Sequence, residues 1–188
     1  MKIGLVGPPG SGKTRLAQAL ANALDTDDRT VGVIDEYAEG YSTTSDFAIG
    51  EDATYIVNLG IALSRLQSER RMGDDFIVCG TMADTATYMA CEATLFPDEP
   101  GWQRRHLASL ALAGCMVNDL VTYDFTFYLP LPEHTQTFGI GFDEEVRSNL
   151  PVSLRLFDIP HITLDRPSFE ENLAHALNVI HESAPPAE

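Results

Sequence analysis

A chain of 188 residues with 44% hydrophobic residues is sized for one domain with a sizeable core, and no stretch approaches the ~20 apolar residues of a membrane span. Its formal charge of −16 opposes binding to a polyanion, because nucleic-acid binders carry a basic face. The start Met1-Lys2-Ile3-Gly4 lacks a signal-peptide pattern, and Cys79, Cys91 and Cys115 read as buried free thiols in apolar runs, so a soluble protein of the reducing cytoplasm is expected.

Residues 2–6 read as a short buried strand. The next eight, Gly7-Pro8-Pro9-Gly10-Ser11-Gly12-Lys13-Thr14, fit the phosphate-binding pattern G-x-x-x-x-G-K-S/T at every fixed position. Glycines at 7, 10 and 12 let the backbone curl around an anion with its N–H groups inward, which side chains would obstruct. The following helix adds its positive N-terminal end, and Arg15 stands beside the loop. Lys13 is expected as a mobile, solvent-facing cation for the outer phosphates, and the Thr14 hydroxyl as a Mg²⁺ ligand. Of the 12 basic residues only Lys2 and Lys13 are lysines, so a chain that otherwise uses arginine keeps a compact ammonium where such a loop needs one.

The spacing predicts a helix over 13–24, with Leu16, Leu20 and Leu24 on one face, ended by Asp25-Thr26-Asp27-Asp28. Residues 30–34 read as a second strand that stops at Asp35-Glu36-Tyr37. Residues 40–50, rich in Ser, Thr, Gly and Asp, read as a loop able to close over a ligand. A helix is expected over 52–72, with Ile56, Leu59, Leu63 and Leu66 as its apolar stripe and Arg70-Arg71 complementing its C-terminal end. A third strand over 76–79 leads through Gly80-Thr81 to a helix from about residue 83, where Thr81 and Asp84 have capping-box spacing.

Residues 102–119 read as helical. A fourth strand is expected over 124–131, with Phe125, Phe127, Leu129 and Leu131 at period two. A Pro-, Gly- and Thr-rich loop over 132–141 and a helix over 142–157 carrying Arg147 and Arg155 make up an expected lid, about 132–157. Residues 161–164 form a fifth strand and 168–182 a last helix, opened by Ser168 and Glu171 at capping-box spacing. Residues 184–188 are expected to be a disordered tail.

Strands alternating with helices predict an α/β fold: a single three-layer P-loop NTPase domain over 1–183, with a five-stranded, mainly parallel sheet and helices on both faces. Ligands in such sheets sit outside the carboxyl ends of the strands, which puts the loop 7–14, Asp35-Glu36 and Thr81 to Asp84 along one rim. Asp35 and Glu36 are then the acids to hold Mg²⁺ and to accept a proton from an acceptor hydroxyl. Asp84 reads equally well as a third metal-side acid and as a helix cap. Arg147 and Arg155 read as lid cations for a transferring group, or as a solvated helix face paired with Asp143, Glu144 and Glu145. Tyr37, Tyr41, Tyr55 and Trp102 offer rings for stacking a base, and Gln67 an amide for its edge. The five histidines show no metal-ligand spacing.

The loop 7–14, the stretch Asp35-Glu36-Tyr37-Ala38-Glu39-Gly40-Tyr41, the pair Tyr123-Asp124 and the acidic turn from Asp143 to Arg147 resemble the P-loop nucleoside and nucleotide kinases. The resemblance is greatest to the AAA-type ATP-binding kinase family that includes nicotinamide riboside kinase of the bifunctional NAD-regulatory protein. One departure stands out: where that family's third strand ends in an Asp-containing motif, this chain has Cys79-Gly80-Thr81, so Asp84 replaces that acid or Asp35 and Glu36 do its work. The resemblance implies ATP-dependent phosphoryl transfer, with Mg²⁺, to a small nucleoside, deoxynucleoside or nucleotide acceptor; by their own chemistry Glu36, Tyr37, Tyr41 and Gln67 are the residues expected on the acceptor side. Two other readings stay open: a P-loop ATPase acting as a regulatory switch, and a kinase acting on a modified base in DNA through a basic groove of Arg65, Arg70, Arg71, Arg104 and Arg105. A homodimer also stays open.

Overall fold

In the computed structural model, which describes residues 1–35, 55–95, 122–131 and 140–183, the apolar runs become five short strands and the periodic segments the helices between them. The strands are β1 (Lys2–Val6), β2 (Gly32–Ile34), β3 (Phe76–Cys79), β4 (Phe125–Tyr128) and β5 (Ile162–Thr163). The helices among the described residues are α1 (Lys13–Leu24), α2 (Tyr55–Met72), α3 (Met82–Leu95), α4 (Ile140–Leu156) and α5 (Phe169–Ser183). The sheet order is β2-β3-β1-β4-β5, parallel at every pairing. The expected loop over 40–50, the helix over 102–119, most of the loop over 132–141, Cys115 and the tail lie outside the described residues.

Register turns alternation into layers. Ile3 is level with Ile77, and Leu5 with Cys79 and Phe127. Side chains at those positions share one face and pack with Leu16, Leu20, Ala176 and Ile180 of α1 and α5. The intervening residues point the other way, where Val6 and Tyr128 meet Ala83, Leu150 and Leu154 of α3 and α4. Every sheet residue just named except Tyr128 is wholly buried, and each large side chain taken from water contributes about 1.5–3 kcal/mol. No helix among the described residues is long and apolar enough to cross a membrane.

Local hydrogen bonding explains where boundaries differ from the expected ones. β2 starts at Gly32, because the Val31 N–H donates to Asp25 Oδ1 at 2.6 Å instead of to a ladder. The Ser168 and Glu171 capping box forms as spaced, Ser168 N donating to Glu171 Oε2 at 3.1 Å and Glu171 N to Ser168 Oγ at 3.2 Å. α4 begins at Ile140 and contains Pro151, which has no N–H to give the Arg147 carbonyl.

The expected stripe on α2 holds at Leu66, which is buried, and fails at Leu63, which is 49% exposed; Asn58, Ile61, Ala62, Arg65 and Glu69 are buried beside Leu66. Three of the buried residues, Asn58, Arg65 and Glu69, are polar, which a search for apolar spacing does not find.

Candidate phosphate-binding site

β1 is central, with β3 and β4 on its flanks, and its carboxyl end runs directly into the loop 7–14. Gly10 and Gly12 take φ of 77° and 89°, in the left-handed region that a side chain disfavours. Gly12 opens α1 with no side-chain cap, so the first-turn N–H groups of the helix are offered to a ligand. Gly7 is required for a different reason: a Cβ there would lie 2.5 Å from Leu129 O and 2.6 Å from Ser11 Oγ. Ser11 N donates to Pro8 O at 3.2 Å and closes the turn. Ser11 Oγ is buried and without a hydrogen-bond partner among the described residues, a polar atom the loop itself does not use.

Lys13 corrects an expectation. It is 2% exposed, not solvent-facing, and its Nζ donates to Gly7 O at 2.7 Å and Pro8 O at 3.0 Å. The ammonium is held inside the curl of the loop. At the mouth, Thr14 Oγ1 donates to Asp35 Oδ1 at 3.2 Å in an exposed position. A hydroxyl and a carboxylate so placed are the hard oxygen ligands that Mg²⁺ takes, and the loop with its orphan Ser11 hydroxyl fits a polyphosphate.

Asp84, 1% exposed, sits behind the loop. Its Oδ1 accepts from Gly7 N at 2.9 Å across 77 residues of chain. Its Oδ2 accepts from Thr81 N at 2.5 Å and Thr81 Oγ1 at 3.1 Å, while Ala83 N donates to Thr81 Oγ1 at 3.1 Å. The capping box and the loop are therefore joined through one carboxylate, whose two oxygens both accept from the protein.

Arg147 and Arg155 are not brought together. They stand eight residues apart on α4, about 12 Å along the axis and about 80° around it, and Arg155 is exposed in the last turn. Arg147 is half-buried and within electrostatic reach of Tyr128: burial pushes that phenol up, the Asp84 charge pushes it further and the Arg147 charge pulls it back. Arg15, 68% exposed, turns to α5, its guanidinium 3.8 Å over the Phe169 ring and 3.7 Å from Glu170. Gln67 is exposed on the outer side of α2. Glu36, Tyr37, Tyr41 and Trp102 lie outside the described residues, as do Arg104 and Arg105.

Arg65, expected on a surface groove, is instead 2% exposed and bonded to Thr81 O and, at 2.8 Å, Thr85 Oγ1. Near it, Tyr123 Oη donates to Glu69 Oε1 at 3.0 Å. Burial pushes the Glu69 carboxyl up, against the Tyr123 hydrogen bond and the charge of Arg65. Burial and the Glu69 charge hold the Tyr123 phenol well above its usual range. The sequence did carry a signal for this cluster: Asn58, Arg65 and Glu69, spaced by seven and four, share one helical face.

Three solved structures are similar to this chain in fold. Deoxyadenosine kinase from M. mycoides is 14% identical at a TM-score of 0.70, covering 97% of this chain and all of that one. Thymidylate kinase from Candida albicans is 14% identical at 0.68, covering 96% of this chain and 91% of that one. The chain has the P-loop kinase fold. A NadR protein in complex with NR is 17% identical at a TM-score of 0.71 over 96% of this chain, which spans about half, 48%, of the NadR chain. No protein-family model matches the sequence, and no curated protein matches it.

Proposed function

We propose that this P-loop kinase fold transfers a phosphoryl group from ATP to a small nucleoside, deoxynucleoside or nucleotide. One observation carries the reading: a loop with a buried lysine and an orphan Ser11 hydroxyl is tied at Gly7 to Asp84, while Thr14 and Asp35 meet at its mouth. That is a rigid polyphosphate cradle with a metal position at its edge, and phosphoryl transfer asks for little more than positioning and charge. The folds of a deoxyadenosine kinase and a thymidylate kinase, and a NadR structure holding NAD and AMP-PNP, support the same class of acceptor and donor.

In this reading the N–H groups at the start of α1, those of Gly10 and Gly12, and the Lys13 ammonium hold the β- and γ-phosphates. Thr14 and Asp35 would hold Mg²⁺, which when bound would supply positive charge beside the phosphate oxygens. The acceptor oxygen bonds to the γ-phosphorus as the bridging oxygen departs with ADP, and the acceptor's proton passes to Glu36, the acid next to Asp35 in sequence. Arg147, on α4 within the expected lid, is the cation for the group in transit. Asp84 serves by holding Gly7 in place, and the cytoplasm is the expected setting.

Label transfer from γ-labelled ATP with Mg²⁺ to a panel of nucleosides, deoxynucleosides and mononucleotides tests the proposal. Labelling of at least one member is expected. Hydrolysis of ATP with no labelled acceptor would replace the kinase by an ATPase.

A further inference from the structure

The phosphate loop is braced from behind by hydrogen bonds that begin on α2. We propose that Arg65 is a positioning residue for the phosphoryl donor, acting on the loop through the β3–α3 turn and Asp84 without touching the nucleotide; the proposal rests on the ATP-binding role given to the loop above.

The chain of contacts is continuous. Arg65 Nη1 donates to Thr81 O and, at 2.8 Å, to Thr85 Oγ1, so one guanidinium grips both the residue that caps α3 and a side chain in its first turn. Thr81 O also accepts the first bond of α3, from Thr85 N at 3.3 Å. The backbone leaves room for this grip at Gly80, where φ is 78° and a Cβ would lie 3.1 Å from Arg65 Nη2. The gripped turn orients Asp84 by two Thr81 donors, and Asp84 Oδ1 takes the Gly7 N–H. Gly7 is the first residue of the cradle and is itself wedged against Leu129 O. A shift of the turn therefore moves the loop.

Packing alone does not explain Arg65. A guanidinium at 2% exposure, with Nε unpartnered among the described residues, costs more than a leucine or methionine of similar volume at the same place. Glu69, 4% exposed and held by Tyr123, supplies an opposite charge nearby, while Arg65 Nη1 serves the turn. What the guanidinium does that an apolar side chain does not is fix two acceptors at once in a set geometry.

The test uses the full chain and compares wild type, Arg65→Lys, Thr85→Val, Asp84→Asn and the doubles Arg65→Lys with Asp84→Asn and Thr85→Val with Asp84→Asn. Binding of ATP with Mg²⁺ is measured by calorimetry without acceptor, alongside melting curves and the acceptor KM. Arg65→Lys is expected to weaken ATP binding about tenfold, the scale of one lost hydrogen bond to a charged group. Thr85→Val should weaken it less, and the acceptor KM should stay put in both. Each double should bind ATP no more weakly than Asp84→Asn alone, because the path runs through that carboxylate. Wild-type affinity in Arg65→Lys and Thr85→Val, or additive losses in the doubles, would overturn the proposal. If Arg65→Lys fails to fold, the Thr85→Val cycle decides. A wild-type chain that binds no ATP defeats the reading of the loop itself, and shows before any variant is made.

Discussion

Lys13 carries its charge inside the loop, against Gly7 O and Pro8 O, with 2% of its surface exposed. A desolvated ammonium acts on a phosphoryl group far more strongly than a surface one, because water no longer screens it. Lys13→Met, which keeps the stem and removes the charge, is expected to lower kcat by about a hundred- to a thousand-fold while the melting temperature stays within a few degrees. Steady-state rates beside a melting curve check this, and a folded variant with near wild-type kcat would remove Lys13 from the chemistry. The tight curl of the loop at Gly7, Gly10 and Gly12 was legible in the sequence because the motif is contiguous and its spacing follows from backbone geometry. The burial of Lys13 was not, since it is created by the way 7–14 folds back on its own carbonyls. Asp84 shows the same division. Its capping role was visible from three-residue spacing, whereas its bond to Gly7 crosses 77 residues and leaves no local trace.

At the scale of elements, α1 appears with the bounds its leucine spacing predicts, since an alanine- and leucine-rich amphipathic run has one way to lie on a sheet. α2 was legible as a helix and only partly in orientation: Leu66 is buried as expected, but Leu63 is exposed and the inner face also holds Asn58, Arg65 and Glu69, a polar cluster that a rule sending leucines inward does not anticipate. This face makes a pH prediction. Burial raises the folded-state pKa of Glu69, so above its unfolded value the native state binds the extra proton, and this contribution to stability falls as pH rises through the window between the two values. Glu69→Gln keeps an oxygen to accept from Tyr123 and removes the buried charge. It is expected to melt a few degrees higher than wild type at pH 8, with the difference closing as pH falls towards the ordinary carboxylate range. Melting curves across pH check the sign, and a variant less stable at pH 8 would show that the charge pairing with Arg65 outweighs burial.

For the whole molecule, a net charge of −16 sets the field that any ligand meets. The groove imagined for a polynucleotide loses Arg65 to the interior, and Arg70 and Arg71 are left exposed at the end of α2. A free nucleoside or mononucleotide is therefore the expected acceptor, with label transfer that changes little between low and physiological salt. Transfer to an oligonucleotide would fall steeply over the same series, because each phosphate contact releases counterions. Efficient labelling of the oligonucleotide and of none of the monomers would reverse the assignment.

The strand order has a consequence for biosynthesis. β1 is made first yet pairs with β3 and β4, and Gly7 is fixed by Asp84 and Leu129, so the cradle depends on partners the ribosome supplies much later. Non-local parallel pairing of this kind is slow to form. A nascent chain stalled before residue 129 carries the whole nucleotide-binding motif in its sequence and is expected to have no affinity for nucleotide, and the apolar β1 waits unpaired, in need of shelter, until the middle of the sheet can close around it.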